Sequence, residues 1–396
     1  MKLLLENWRQ LSLTEAIDPA TVKEIEATLT SAGAETYIVG GAVRDDLLPD
    51  APPSKDIDFL VRGLPIEDLI RVLEPLGKVV PMGMEFGTVT AFIDGESFDF
   101  ALPRKEESTG RGHKDFKIIA DHTAPVEEDL GRRDFTMNAL AKDSEGNIID
   151  MFGGIQDIQD KVIRAVGDPL ERFKEDPLRI LRAIQFAVRF GFDIESETAA
   201  AMEKYANRLD SISKERILAE LTKAWTKGYA NSDHLVALLE ETGVGEELFC
   251  PSFRPIPIKA EGDDADRALG NFISFFLLGG NADRLPLSRE MSLYLQLARE
   301  AITGKPAVEF ASMHREKLPL IIQVLDKAGY SEIVAKLTKS LEYPLNPKEL
   351  DITGQDLMQM GFRGIDIGDA LNNVMLAVHK DEIQNNYDEI TRYLQG

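Results

Sequence analysis

The spacing of hydrophobic positions changes once along this chain, dividing it into a mixed α/β part and a helical part. Leu3–Leu29 carries apolar residues at helical spacing, and Gly33 interrupts it before the apolar run Tyr37-Ile38-Val39, which ends in Gly40-Gly41. Helix, strand and glycine turn are predicted there. Ile57, Phe59 and Val61 alternate with Asp58 and Leu60, and Val89–Ile93 and Phe98–Leu102 are further short β-rich runs. Residues 37–150 therefore read as a mixed sheet with a few helices. From Glu171 onward the period becomes 3.6, with Ile180, Leu181, Ile184, Ala187 and Val188 forming an apolar stripe. Proline-bearing stretches at Cys250–Pro257 and Tyr343–Pro347 break the helical remainder and suggest boundaries near 250 and 345.

Composition narrows the class. A chain of 396 residues divides into two to four compact units, and 43% hydrophobic with 29% charged residues describes a soluble globular protein. No apolar run approaches the roughly 20 residues of a membrane helix. Met1–Glu35 reads as acidic amphipathic helix rather than signal peptide, so a cytoplasmic location is expected. The single cysteine, Cys250, leaves no internal disulfide and no cysteine-rich zinc site, and is expected to be a partly buried small residue. The five histidines (His113, His122, His234, His314, His379) are scattered without ligand spacing, which argues against a histidine-built phosphohydrolase. A net charge of −23 weighs against a polyanionic partner. It is an average, however: residues 161–190 carry seven Lys/Arg against four acids, and residues 341–396 four against ten.

The candidate chemistry begins at Asp56-Ile57-Asp58, two carboxylates at strand spacing that project from one face and can converge on a cation. Magnesium takes oxygen ligands and completes its shell with substrate phosphates, so the pair points to phosphate chemistry, although alone such a pair far more often marks a solvated strand edge or turn. Upstream, Gly40-Gly41-Ala42-Val43-Arg44-Asp45 lies at a strand-to-helix turn. It is either a plain tight turn or a cradle where backbone N–H groups and Arg44 meet a triphosphate. Asp99 sits between Phe98 and Phe100 and could complete the carboxylate set from an adjacent strand; Arg132-Arg133-Asp134 offers donors for phosphate or ribose. In Glu175–Arg182, Asp176, Arg179 and Arg182 are three apart and are expected to form one helix ridge. An Asp only accepts and an Arg only donates, so such a pair complements the amine and ring nitrogen of cytosine and of adenine. Uracil and guanine present the reverse order and would leave desolvated groups unmatched.

With these residues in view, the sequence resembles the bacterial class II tRNA nucleotidyltransferases, the CCA-adding enzymes, and their relatives the bacterial poly(A) polymerases. The matching segments are Tyr37–Asp45, Asp56–Asp58, Arg132–Leu140, Glu175–Arg182 and Ser213-Lys214-Glu215-Arg216, in the family's order over about residues 35–225. The resemblance implies an α+β architecture: a polymerase-β-like head with a mixed sheet, then all-helical neck, body and tail. The expected divisions are an N-terminal helix (1–34), head (35–155), neck (156–225), body (226–345) and tail (346–396). It implies that Asp56 and Asp58 hold Mg2+, with Asp99 at a further acidic position. Gly40, Gly41, Arg44 and Arg133 would bind the nucleotide, while Asp176, Arg179, Arg182 and Gln185 read or position it. It further implies CTP and ATP as substrates, and tRNA as the partner, gripped at its acceptor stem and at its elbow by a tail around Leu357–Gly361.

The family usually carries arginine where this chain has Gln185, which predicts weaker nucleotide binding than a Gln185→Arg variant would show. Met151 replaces a common proline before Phe152-Gly153-Gly154, an exchange expected to be structurally minor. The nearest rival is a poly(A) polymerase. It is disfavoured by Gly83-Met84-Glu85-Phe86-Gly87, where those enzymes carry a Gly-Arg-Arg-Phe type of segment, and by the acidic tail. A CC-adding or A-adding specialist is a narrower rival. The charged, glycine-bearing segment Arg104–Asp121 is expected to be a flexible loop, which favours full CCA or A addition. A tRNA-binding protein on a decayed transferase fold is the non-enzymatic alternative, opposed by retention of Asp56, Asp58 and Arg179.

Overall fold

The computed structural model describes residues 17–49, 56–81, 83–108, 116–249, 255–259, 262–278, 282, 285–303 and 307–395. The expected start of the first helix at Leu3, Gly110 and Gly112 of the charged loop, and Cys250 lie outside them. The chain forms two compact units, Met1–Pro251 and Ser252–Gly396, divided inside the proline-bearing stretch that suggested a boundary near 250.

In the first unit, α1 (Pro19–Ser31) starts where Asp18 accepts a hydrogen bond from the Ala20 amide and Pro19 fills the first turn, and it buries Ile25 and Leu29. It leads through Gly33 into β1 (Glu35–Val39), then α2 (Gly41–Leu47), β2 (Ile57–Arg62), α3 (Ile66–Leu73) and β3 (Lys78–Val80). Next come β4 (Thr88–Ile93), β5 (Glu96–Ala101), a ribbon of β6 (Arg104–Ser108) with β7 (Phe116–Ala120), α4 (Val126–Gly131), β8 (Leu140–Asp143) and β9 (Ile148–Asp150). The main sheet has the order β3-β4-β5-β2-β1-β8-β9; β2 and β5 run parallel and the other neighbours antiparallel.

Strand β2 is central, so Phe59, Leu60 and Val61 are all buried, where simple alternation had left Leu60 facing outward. On one face Phe59 stacks on Phe100 with centroids 5.1 Å apart. On the other, Leu60 joins Val39, Val126, Leu130, Ala139 and Ala141. The segment expected to be a flexible loop between Arg104 and Asp121 is instead a paired ribbon at both ends, Arg104 opposite Ala120 and Ser108 opposite Phe116. The β propensity of Phe116, Ile118 and Ile119 outweighs the charge of the segment there.

Helix α5 (Gly154–Asp160) follows the sheet, with Asp150 accepting from the amides of Gly154 and Ile155 at 2.9 Å each; Met151 is exposed beside it and fills no core position. Then come α6 (Pro169–Glu175), α7 (Leu178–Phe190), α8 (Ser196–Tyr205) and α9 (Lys214–Lys227), with α9 packed along α7. The second unit is helical, with Phe272 and Phe276 fully buried and a C-terminal cluster of Leu350, Ile352, Leu357, Val374 and Ile390.

A side chain at Gly154 has no room, because an added Cβ would lie 2.2 Å from the Thr136 carbonyl oxygen. Gly154→Ala is expected to destabilise the first unit by about 1–3 kcal/mol through overpacking, read as a lower urea midpoint in its unfolding transition.

Candidate active site

Pairing within the sheet gathers the acidic residues. Asp58 stands opposite Val39 on β1 and opposite Asp99 on β5. Strand periodicity puts Asp58 on the Leu60 face, away from Phe59, and Asp99 likewise away from Phe98 and Phe100. Asp56 immediately precedes β2 and is exposed. The Thr90 hydroxyl donates to Asp99 at 2.5 Å. Asp58 remains accessible to solvent yet is crowded by protein. Partial desolvation raises its pKa above 3.8; Arg133 opposes the shift, while the carboxylates of Asp99 and Asp56 add to it. Among the described residues no three acidic, histidine or cysteine side chains already converge as a closed ligand set. The paired Asp58 and Asp99 with Asp56 beside them suit a divalent cation that takes one or two protein carboxylates and fills its remaining positions with water and phosphate oxygens.

The glycine turn lies beside these carboxylates because Val39, its neighbour, is the register partner of Asp58. Gly40 has φ +72°, and a Cβ there would lie 2.7 Å from Nη1 of Arg133, so only glycine lets that guanidinium rest against the turn. Arg133 also donates to the Asn138 carbonyl (3.2 Å) and to Asp129 (3.3 Å), and keeps about a fifth of its side chain exposed (21%). Gly41 begins α2. Arg44 is buried beneath the turn rather than presented on it. It donates to Asp45 (2.6 and 2.8 Å) and Asn138 (2.6 Å), and lies over the rings of Phe186 and Phe190.

A buried polar chain runs from there to α7. The Asn138 amide nitrogen donates to Asp134 at 3.1 Å, and Asp134 accepts from the Phe135 amide (2.8 Å) and from Nε of Arg182 (2.7 Å). Burial disfavours the Asp134 carboxylate, but Arg182, Asn138 and the Phe135 amide outweigh it and hold its pKa below 3.8. Arg182 lies over Phe186, which stacks on Phe190, and Arg189 lies over Phe190, so guanidinium and phenyl groups alternate along this face.

The ridge expected from Asp176, Arg179 and Arg182 is only partly formed. Pro177 caps α7, and Asp176 stands before the helix in extended conformation, accepting from the Leu178 amide (3.0 Å) and from Arg216 (2.9 Å). Its side chain is still about a third exposed (32%). Arg179 donates to Glu175 (2.8 Å) and to the Arg132 carbonyl (2.8 Å). Gln185 is buried at 3% exposure, so the ridge reaches solvent at Arg179 and Arg182 but not one step further.

Residues 36–164 match the Poly A polymerase head domain, and residues 191–256 match the probable RNA and SrmB-binding site of polymerase A. The chain is 31% identical over 395 residues to the CCA-adding enzyme of Lactobacillus helveticus, spanning 93% of this chain and 94% of that one. The chain belongs to the CCA-adding enzyme family. The crystal structure of the Bacillus stearothermophilus CCA-adding enzyme in complex with CTP is similar at a TM-score of 0.68 and 26% identity, over 96% of this chain and 98% of that one. The Thermotoga maritima CCA-adding enzyme, complexed with tRNA(CCA), shares the fold at a TM-score of 0.70 and 23% identity, over 96% of each chain. Membership makes the protein a nucleotidyltransferase on a polymerase head, as the motifs implied.

Sequence reading assigned no role to Asn138, Phe186, Phe190 or Arg216. Asn138 had a signal, a polar residue amid Phe135, Met137, Ala139 and Leu140; the two phenylalanines were indistinguishable from core. Asp134→Asn is expected to destabilise the first unit by about 1.5–3 kcal/mol, the worth of hydrogen bonding to a charged group. Because the native pKa of Asp134 is depressed, its contribution is complete above about pH 4 and is lost as pH falls through the lowered native value. Urea titrations at pH 7 and at pH 3 should therefore show the wild-type advantage over Asp134→Asn shrinking at the lower pH.

Proposed function

We propose that this chain performs template-independent addition of C, C and A to the 3′ end of tRNA, using CTP and ATP and releasing pyrophosphate. The observation that carries this reading is that head and helical remainder match a CCA-adding enzyme together, over 94% of that enzyme's length. Asp56 and Asp58 are the residues that would hold Mg2+, and Asp99, tethered by Thr90, is the neighbouring acid. Bound there, magnesium supplies charge that lowers the pKa of the tRNA 3′-hydroxyl and stabilises the triphosphate and leaving pyrophosphate.

The protein's own residues account for the rest. The turn at Gly40-Gly41 admits a phosphate close to the backbone, and Arg133 beside it donates to phosphate oxygens, while Arg44 secures the turn from below. In the transfer the 3′-hydroxyl gives up its proton to solvent as its oxygen bonds to the α-phosphorus and the bond from that phosphorus to pyrophosphate breaks. Asp176 accepts the exocyclic amine of cytosine or adenine, and Arg179 or Arg182 donates to the adjacent ring nitrogen. Because the template is a set of side chains, no nucleic-acid template enters. tRNA is held along the basic strip of residues 161–190, and a cytoplasmic location belongs to the same reading.

The test is incorporation of labelled CTP and ATP, with and without magnesium, into tRNAs ending before the first C, after the second C and after the A. Three additions, one and none are expected. Restriction to C or to A would identify a specialist, and a long adenosine tail a poly(A) polymerase. Asp58→Ala is expected to abolish incorporation with little change in unfolding midpoint; near-normal incorporation would refute the metal assignment. tRNA affinity should fall steeply between about 50 and 200 mM salt, measured by filter binding, as phosphate contacts require.

A further inference from the structure

Two cations at the end of α8 rest on an aromatic ring instead of on an acid. The Lys204 ammonium lies 5.9 Å and the Arg208 guanidinium carbon 5.8 Å from the centre of the Tyr205 ring. Lys204 is exposed, and Tyr205 and Arg208 are half-buried. Among the described residues neither cation makes an ion pair, although Glu203 and Asp210 stand close by in sequence. The chain has 68 acidic against 45 basic residues, and Arg132, Arg179, Arg182 and Arg216 are each held by a carboxylate. Lys204 and Arg208 depart from that pattern. A ring attracts a cation through its π face without taking up its N–H groups as a carboxylate does, so those donors stay available. The pair also lies near the candidate site, because α8 packs along α6 and Arg208 makes a long hydrogen bond, 3.5 Å, to the carbonyl of Lys174, two residues before Asp176. The Lys174 side chain itself turns to Glu171 at 3.2 Å and adds no unpaired charge.

We propose that Lys204 and Arg208, carried on Tyr205, form a docking point for backbone phosphates of the tRNA acceptor end, outside the basic strip of residues 161–190. This rests on the reading of tRNA as the partner. The three residues lie within 191–256, the stretch that matches a probable RNA-binding site, and they supply there a local positive charge without a counter-ion of its own. A protein of net charge −23 repels a polyanion at long range, so contact is favoured where cations are not already neutralised. The shared ring restricts both side chains beforehand, which lowers the ordering cost of meeting a phosphate. Position decides which part of the RNA is met. Arg208 touches the end of α6, beside the segment that carries Asp176 and Arg179, so the phosphates belong to the acceptor end whose 3′ terminus enters the site.

The experiment compares the full-length protein with a double variant, Lys204→Ala with Arg208→Ala, and with Arg208→Lys. Filter binding gives the Kd for tRNA lacking CCA, and for a minihelix of its acceptor stem and T arm, across a salt series; KM for CTP and the urea midpoint are measured alongside. Loss of two phosphate contacts should weaken binding of both RNAs about tenfold or more near 0.1 M salt and make the slope of log Kd against log salt shallower by about 1.5. KM for CTP and the urea midpoint should stay close to wild type, and Arg208→Lys, which keeps the charge, should bind nearly as wild type does. An unchanged Kd or an unchanged slope would overturn the proposal and leave an ordinary surface cluster. A loss seen with tRNA but not with the minihelix would overturn the assignment to the acceptor end. A lowered midpoint with KM for CTP raised as much as the Kd for tRNA would mark the cluster as structural and overturn it too. Because Kd and slope are read without turnover, a wild type that bound tRNA but added neither C nor A would bring down the CCA-adding reading alone.

Discussion

Like charges held side by side at the start of β2 and in β5 are the constraint on which the rest of the head depends. Phe59, Leu60 and Val61 can all be buried only if β2 is an interior strand. The register that places it between β1 and β5 also sets Asp58 against Asp99 and beside the glycine turn. The stacked rings of Phe59 and Phe100 on one face and the Leu60 cluster on the other keep these strands from sliding. The carboxylates therefore cannot relieve their repulsion by moving apart. Arg133 offsets part of it, and a bound cation would offset more. A site for metal and phosphate thus follows from the way the sheet must be ordered.

The proposed function sets a second requirement, that helix α7 and the head be held together so that base and phosphates are bound at once. The chain Asp45, Arg44, Asn138, Asp134, Arg182 meets it with buried hydrogen bonds. Asn138 suits the central place because its amide can accept from an arginine and donate to an aspartate at once, which no charged side chain can do. The rings of Phe186 and Phe190 fill the space between Arg44, Arg182 and Arg189, so displacement of one guanidinium disturbs a packed stack. A polar network in which each member has a partner favours a single arrangement more strongly than apolar contact alone.

These contacts explain what could be read in the chain beforehand. The sheet and its two-residue carboxylate spacing were legible because strand periodicity is local, and the register sets Asp58 against Asp99 on the adjacent strand and beside the glycine turn. Leu60 was not, since alternation assumes one solvated face. Nor was the conformation of Asp176. Three-residue spacing describes a ridge only inside a helix, and Pro177 lets the helix begin after Asp176, leaving that carboxylate to cap it. Gln185 was equally opaque, because whether a polar residue on a helix is buried depends on what packs over it. The hairpin ends of Arg104–Asp121 were masked by charge, although pairing within a ribbon needs only the backbone.

The acidity of the protein takes on a different meaning once the arginines are seen in place. Arg132 is held by Asp129, Arg172 and Arg179 by Glu175, Arg182 by Asp134 and Arg216 by Asp176. In each case an acid orients an arginine that lines or supports the candidate site. A guanidinium has five donors, and a carboxylate engages only two or three of them. The remainder can face a phosphate or a base edge without breaking the ion pair. Fixing the fork in advance removes rotamer entropy that an isolated arginine would lose on binding. A net charge of −23 is therefore compatible with gripping a polyanion, because part of that charge directs cations to specific atoms, while the long-range field suppresses indiscriminate binding of nucleic acid elsewhere on the surface.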